Sequence, residues 1–161
     1  MGIVPGERLV MQIHYNNGAG LEGLTDQSGV RIFHGPTEGR RWQLTDPGPE
    51  EFKVPEGDSA TCGITEIDSP MKILASMPHM HELGVELRSW ISRKGQSDED
   101  LINLTGWNFE AQRYYRLDAE VQRGDRLHTR CGYRNETGAP VWAGPATTDE
   151  MCFNFLFVSP L

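Results

Sequence analysis

Long apolar runs are missing from this 161-residue chain. No stretch approaches the about 18 residues that a membrane-crossing helix needs, and the N-terminus lacks the charged-then-apolar layout of a secretion signal. Any export signal is therefore expected to have been removed or never to have been there. Basic clusters are missing as well: no run of Lys and Arg exceeds two residues, and the formal charge is -8. That balance argues against a nucleic-acid partner and against a basic membrane patch. No apolar stripe of helical period persists, and no internal repeat is found, which removes helical bundles and solenoids from consideration. Cysteine is scarce, and the count of three is odd. In an oxidising compartment one thiol must stay free or pair outside the fragment, whereas in the cytosol all three would stay reduced.

What is present reads as short strands broken by turns. Eighteen glycines and ten prolines are spread along the chain. Residues 7–15 alternate, with Leu9, Met11 and Ile13 on one face and Val10, Gln12 and His14 on the other. A second alternating run spans 29–34, and a linker or long loop is expected from Trp42 to Pro55 around Pro47, Gly48 and Pro49. Further strands are expected at 59–64, 71–77, 85–92, 101–104, 126–133 and 150–158, with a turn at 93–96 and a solvated acidic tip at 98–100. The class is all-β, an antiparallel β-sandwich of jelly-roll type.

Chemistry concentrates at Met77-Pro78-His79-Met80-His81-Glu82-Leu83-Gly84. On a strand, His79 and His81 point to one face with Cα atoms roughly 6.5 Å apart, close enough for both imidazoles to grip one ion. Imidazole suits copper, zinc, iron or nickel, and a thioether as third ligand tilts the choice to copper, above all Cu(I). Met151 offers that thioether. The plainer alternatives are solvated histidines and an ordinary core methionine. Glu82, Asp149 and Glu150 are candidates to orient the imidazoles. The aromatic residues Trp107, Phe109, Tyr114 and Tyr115 read as packing or as a ligand platform. His34 and His128 match no ligand position.

These pieces in order, together with Trp107-Asn108-Phe109-Glu110-Ala111-Gln112-Arg113-Tyr114, Gly124-Asp125 leading to Cys131, and Thr148-Asp149-Glu150-Met151-Cys152, resemble the copper type II, ascorbate-dependent monooxygenases. That family comprises the peptidylglycine α-hydroxylating and dopamine β-monooxygenase-like enzymes. The resemblance implies two jelly-roll domains facing each other across a cleft, with residues 1–40 closing the upstream domain and residues 41–161 forming the C-terminal copper domain. It implies that His79, His81 and Met151 hold the oxygen-binding copper. It also implies that His14, in Gln12-Ile13-His14-Tyr15, is one ligand of a second, electron-transfer copper, with Gln12 the electron-transfer candidate beside it.

The rest of that second site is an adjacent histidine pair, which this sequence lacks. A missing upstream domain, in cis or in trans, is therefore an expected partner. The resemblance further implies a Cys131–Cys152 disulfide, an unpaired Cys62, and a periplasmic or extracellular location. The reaction implied is hydroxylation of a C–H bond of a small molecule with dioxygen, ascorbate supplying electrons. Two departures bear on substrate: the peptide-amidating members carry arginine where Met77 stands and tyrosine where Phe155 stands. The competing functions are a non-catalytic copper-binding module and a β-sandwich interaction domain.

Overall fold

The computed structural model describes residues 6–11, 13, 15, 17, 19–33, 35 and 41–161. Ten strands run in chain order: β1 (Gln43–Thr45), β2 (Lys53–Val54), β3 (Gly57–Glu66), β4 (Met71–Met80), β5 (Gly84–Ser92), β6 (Glu99–Thr105), β7 (Tyr115–Val121), β8 (Arg126–Asn135), β9 (Val141–Trp142) and β10 (Cys152–Pro160). Among the described residues the only helical element is one 3₁₀ turn at Phe109–Ala111. One sheet has the order β1-β10-β4-β7, a second β3-β8-β5-β6, and β2 pairs with β9 in a short ribbon. Every strand pairing is antiparallel. The expected all-β sandwich is what forms.

Period-two patterning explains how the strands bury themselves. In β10, Cys152, Asn154, Leu156 and Val158 are buried and Phe153, Phe155 and Phe157 are half-buried on the other face. In β8, Leu127, Thr129, Cys131 and Tyr133 point inward, as the alternation predicts. The apolar side chains separate into two clusters. One holds Ile67, Ile73, Ile91, Leu127, Leu156 and Val158 among others. The second holds Val54, Met80, Leu87, Cys131, Tyr133 and Cys152. Polar residues are buried with them on the central strands: Ser76 on β4, Ser89 on β5, Thr129 on β8 and Asn154 on β10.

The expected linker at 42–55 is instead a worked part of the sandwich. It forms β1 and β2, and only the stretch around Pro47-Gly48-Pro49 stays irregular. The Pro47 carbonyl accepts from Thr129 Oγ1 at 2.9 Å and from Asn154 N at 3.1 Å, so this loop ties a strand of each sheet together. Proline and glycine exclude a strand at these positions, and the backbone acceptors they leave unpaired are spent on the core instead. The acidic tip is likewise not free: Asp100 pairs with Arg88 and Glu99 with Arg93. Met151 precedes the last strand, and His81 follows β4, so each lies one residue outside the strand expected to hold it.

Among the described residues of 7–15 and 29–34, none joins a strand, and Leu9, Val10, Met11, Ile13, Val30, Ile32 and Phe33 are exposed. Alternation marks a half-buried strand only where a neighbouring strand supplies the ladder and a packed layer covers the apolar face. Neither reaches these residues. His14, Gln12 and His34 lie outside the described residues.

Gly48 backs directly onto the Cys152 carbonyl, where a Cβ would collide with backbone. Gly48→Ala is therefore expected to lower stability by about 1–3 kcal/mol. Urea denaturation checks this as a shifted midpoint with an unchanged slope.

Candidate metal site

Three features of the chain bring the site together. Strand β4 ends at Met80, whose side chain is fully buried against Gly84 and Trp107, and that burial turns the flanking His79 and His81 to the opposite side. Strand β10 pairs with β4 in the register Cys152↔Met80 and Phe153↔His79. This register brings Met151, one residue before Cys152, to the end of β4. The disulfide Cys131–Cys152 joins the two sheets on the inner side of the same point. His79, His81 and Met151 accordingly line one open depression of about 520 Å³, with Glu82, Phe109, Glu110, Gln112, Pro145 and Thr147.

The imidazoles are held edge to face, ring centroids 5.2 Å apart and planes at 83°. Their Nδ1 atoms are both engaged. His79 Nδ1 lies 2.7 Å from Gln112 Oε1, and His81 Nδ1 lies 2.9 Å from the Asp149 carbonyl oxygen. Gln112 donates its Nε2 to the Phe109 carbonyl at 2.9 Å, which decides the orientation of its amide and leaves oxygen facing the ring. Both partners are therefore acceptors, so each Nδ1 carries the proton and each Nε2 keeps a free lone pair. That is the tautomer that leaves Nε2 as the ligating atom. Burial lowers the His79 pKa below its ordinary value, against the Gln112 hydrogen bond that raises it. The neutral, ligating form is the one the site favours.

Glu150 locks this arrangement from within. Its carboxylate is fully buried and accepts three backbone N–H groups: Leu83 at 2.7 Å, His81 at 3.0 Å and Met151 at 3.2 Å. Burial raises its pKa, while these three donors favour the ionised form. Tyr133 donates to the Met151 carbonyl at 2.9 Å, and Trp107 Nε1 donates to the His81 carbonyl at 3.1 Å. Both residues carrying candidate ligands at the mouth of β4 and β10 thus have their main chains pinned.

Of the three carboxylates expected to orient the imidazoles, none does so through its side chain. Asp149 acts through its main-chain carbonyl, and its carboxylate instead accepts from Ala146 N at 3.0 Å, closing the loop before Met151. Glu150 holds main chain, and Glu82 is exposed. The physical reason is prior commitment for two of them, since the Asp149 and Glu150 carboxylates are bonded to main-chain N–H groups. Gln112, 33 residues away from His79, does the orienting instead. Phe109 meets His81 edge-on at 5.9 Å. Among the described residues no three His, Cys, Asp or Glu side chains cluster as a metal site. The Met151 side chain lines the same depression as the pair.

The plainer expectations elsewhere hold. Cys62 is a free, exposed thiol. His128 stacks on Trp90 at 4.6 Å and its Nε2 meets Ser92 Oγ at 2.8 Å, on the outer face of the second sheet.

Comparison with known proteins gives a consistent result. The family model described as "Copper type II ascorbate-dependent monooxygenase, C-terminal domain" matches residues 47–159. DBH-like monooxygenase protein 1 of Mus musculus is 29% identical over 94% of this chain and 28% of its own length. Dopamine beta-hydroxylase of Canis lupus familiaris is 28% identical over 94% of this chain and 27% of its own length. The chain thus spans less than a third of the length of these relatives.

Two outcomes test the geometry. Long-range ¹⁵N NMR is expected to show Nδ1 protonated on both rings at neutral pH, with His79 titrating below the usual 6.5. Because the folded form then binds fewer protons than the unfolded chain, His79 is expected to erode stability as pH falls from 6.5 through its folded value. Glu150→Gln replaces one acceptor oxygen by a donor facing main-chain N–H groups, and a loss of about 1–3 kcal/mol is expected in chemical denaturation.

Proposed function

Because the chain belongs to the copper type II, ascorbate-dependent monooxygenase family, as its C-terminal domain, we propose that the depression at the end of β4 and β10 holds a single copper ion through His79 Nε2, His81 Nε2 and the Met151 thioether. On this reading it is the site at which a C–H bond of a small-molecule substrate is hydroxylated with dioxygen, ascorbate being the reductant. The observation that supports it most is the convergence of these three side chains on one cavity, with both ring Nδ1 atoms already bonded to acceptors. Copper held by two imidazoles and a weak thioether would supply the one-electron chemistry and open coordination positions that dioxygen activation needs.

The chain's own residues divide the remaining work. Gln112 and the Asp149 carbonyl keep the ring protons on Nδ1, so the Nε2 lone pair of each histidine stays free to bind an ion. Phe109 packs edge-on against the His81 ring and Phe155 lies 5.7 Å from the His79 ring, giving the ligand-bearing side an apolar border. No Lys or Arg lines the depression, whereas Glu82 and Glu110 do. A carboxylate-bearing peptide end would find no cation there, in keeping with Met77 and Phe155 at the two positions that differ from the peptide-amidating members. The substrate class that fits is a small apolar or aromatic molecule without an anionic group.

Residues 1–40 would close an upstream domain and 41–161 form the copper domain, with His14 and Gln12 on the upstream side. That domain would supply the adjacent histidine pair, in cis or in trans. The Cys131–Cys152 disulfide fits an oxidising compartment, periplasmic or extracellular. No helix among the described residues is long and apolar enough to cross a membrane. A copper-binding module without turnover is the second reading, favoured by the absence of any adjacent histidine pair in the sequence.

Copper K-edge absorption on the Cu(I)-loaded chain tests the proposal. Two nitrogen scatterers and one sulfur scatterer are expected at a stoichiometry of about one, with binding lost in His81→Ala. Met151→His is expected to replace the sulfur by a third nitrogen, keep most of the metal binding, and suppress ascorbate-dependent oxygen consumption once the upstream domain is supplied. A native spectrum without sulfur would overturn the ligand set, and full activity in Met151→His would overturn the role of the thioether.

A further inference from the structure

A second cleft, of about 340 Å³, shares Gln112 with the metal-site depression and is lined also by Thr105, Trp107, Asn108, Arg113 and Tyr115. Its size puts it at the small end of ligand pockets, which run from about 300 to 1,000 Å³. Its chemistry is one-sided. Arg113 is the only charged residue lining it, and among the described residues that guanidinium has no ion-pair partner. Asn108 has already spent its side-chain oxygen on Glu110 N at 2.9 Å, which leaves the amide donors. The hydroxyls of Thr105 and Tyr115 take part in no hydrogen bond among the described residues. The cleft is therefore rich in unspent donors and holds no carboxylate.

Gln112 also lines the metal-site depression, so its carboxamide is a wall common to the two cavities. One side of that amide is bonded to His79 and the other to the Phe109 carbonyl. Trp107, on the same cleft, is bonded through its indole N–H to the His81 carbonyl. Anything seated in the cleft touches the two residues that hold the imidazole-bearing turn.

We infer that this cleft binds a small acceptor-rich monoanion, a carboxylate or an enolate, with Arg113 as its counter-ion and Thr105, Asn108 and Tyr115 as hydrogen-bond donors around it. A planar guanidinium with neutral donors beside it matches a flat anion that offers several acceptor oxygens. Bulky or cationic molecules are excluded, the first by volume and the second by Arg113. The inference goes beyond the copper reading and does not need the metal to be bound.

The test uses the metal-free 161-residue chain, labelled with ¹⁵N. It is titrated anaerobically with sodium ascorbate, an enolate, and separately with sodium benzoate, a carboxylate, at ionic strength matched with sodium chloride. Saturable shifts of the Trp107 indole and Gln112 carboxamide resonances are expected with at least one anion, while the Trp90 and Trp142 indoles stay still. Arg113→Gln, at an exposed position with no partner to lose, is expected to weaken binding by about tenfold or more. Thr105→Val, a second variant at a lining residue, is expected to weaken it by a smaller factor. Saturation by ascorbate alone assigns the enolate class, and saturation by benzoate alone or by both assigns small carboxylates and anions generally. Flat titrations with both anions, shifts that sodium chloride reproduces, or unchanged affinity in Arg113→Gln would overturn the inference. None of these results depends on copper, so failure here and failure of the copper site are read separately.

Discussion

A buried carboxylate holds the business end of this domain in one piece. Glu150 takes main-chain hydrogens from His81 and Leu83 on one side and from Met151 on the other. A fully buried charge is costly unless every acceptor position is filled, and here the donors that fill it belong to the two segments that must stay in register. The consequence is geometric. The turn after β4 and the turn before β10 cannot separate without stranding both the carboxylate and three amide hydrogens. Two imidazoles and a thioether from segments some 70 residues apart in sequence, His81 and Glu150 being separated by 69, are thereby kept at one place.

Support for that clamp comes from further inside. The disulfide between Cys131 and Cys152 joins β8 to β10 immediately behind Met151, and Tyr133 on the same face of β8 bonds the Met151 carbonyl. Closing a loop of this length is worth about 3 kcal/mol in the chain-entropy account. Its direction matters as much as its size, because neighbouring residues of a strand face opposite ways. Cys152 anchored inward leaves Met151 on the other side, beside the histidines. The polar residues Ser76, Ser89, Thr129 and Asn154 are buried on the central strands with the apolar clusters. Thr129 and Asn154 both spend a hydrogen on Pro47, so the irregular loop that would otherwise weaken the sandwich sets the spacing of β8 against β10.

How much of this could be read beforehand depended on whether the signal was local. Alternation along β8 is a property of that segment alone, and it predicts the inward-facing residues correctly. The His-x-His pair was equally local. The pattern over 42–55 predicts a linker or long loop because proline and glycine report only what a segment cannot become, and say nothing of what its free carbonyls will bond. Gln112 was missed for a related reason: a glutamine in a turn carries no mark of an imidazole 33 positions upstream. The carboxylates are legible as near the site but not in role, since proximity in sequence does not amount to contact with the ring. Residues 7–15 and 29–34 show the limit from the other side. Their alternation is as regular as that of β8, yet the described residues there are exposed and join no strand, because a strand is defined by its neighbour as much as by its own pattern.

The tautomer argument links fold to chemistry more tightly than ligand identity alone. Two histidines and a methionine near each other could bind through either ring nitrogen, or not at all. What selects among these is the pair of acceptors behind the rings, one from a side chain and one from main chain. The main-chain acceptor, Asp149, is fixed by the loop that its own carboxylate closes on Ala146, and mutation of that carboxylate would reach the His81 ring only through the loop. The side-chain acceptor, Gln112, is fixed by a 3₁₀ turn whose cap is Asn108 and whose flank is the donor-rich cleft. The two rings therefore differ in how they are governed. His81 is held by the rigid seam between the sheets, whereas His79 is held by a surface turn open to solvent and to whatever the neighbouring cleft admits. Any adjustment of this site by its surroundings should act first through His79.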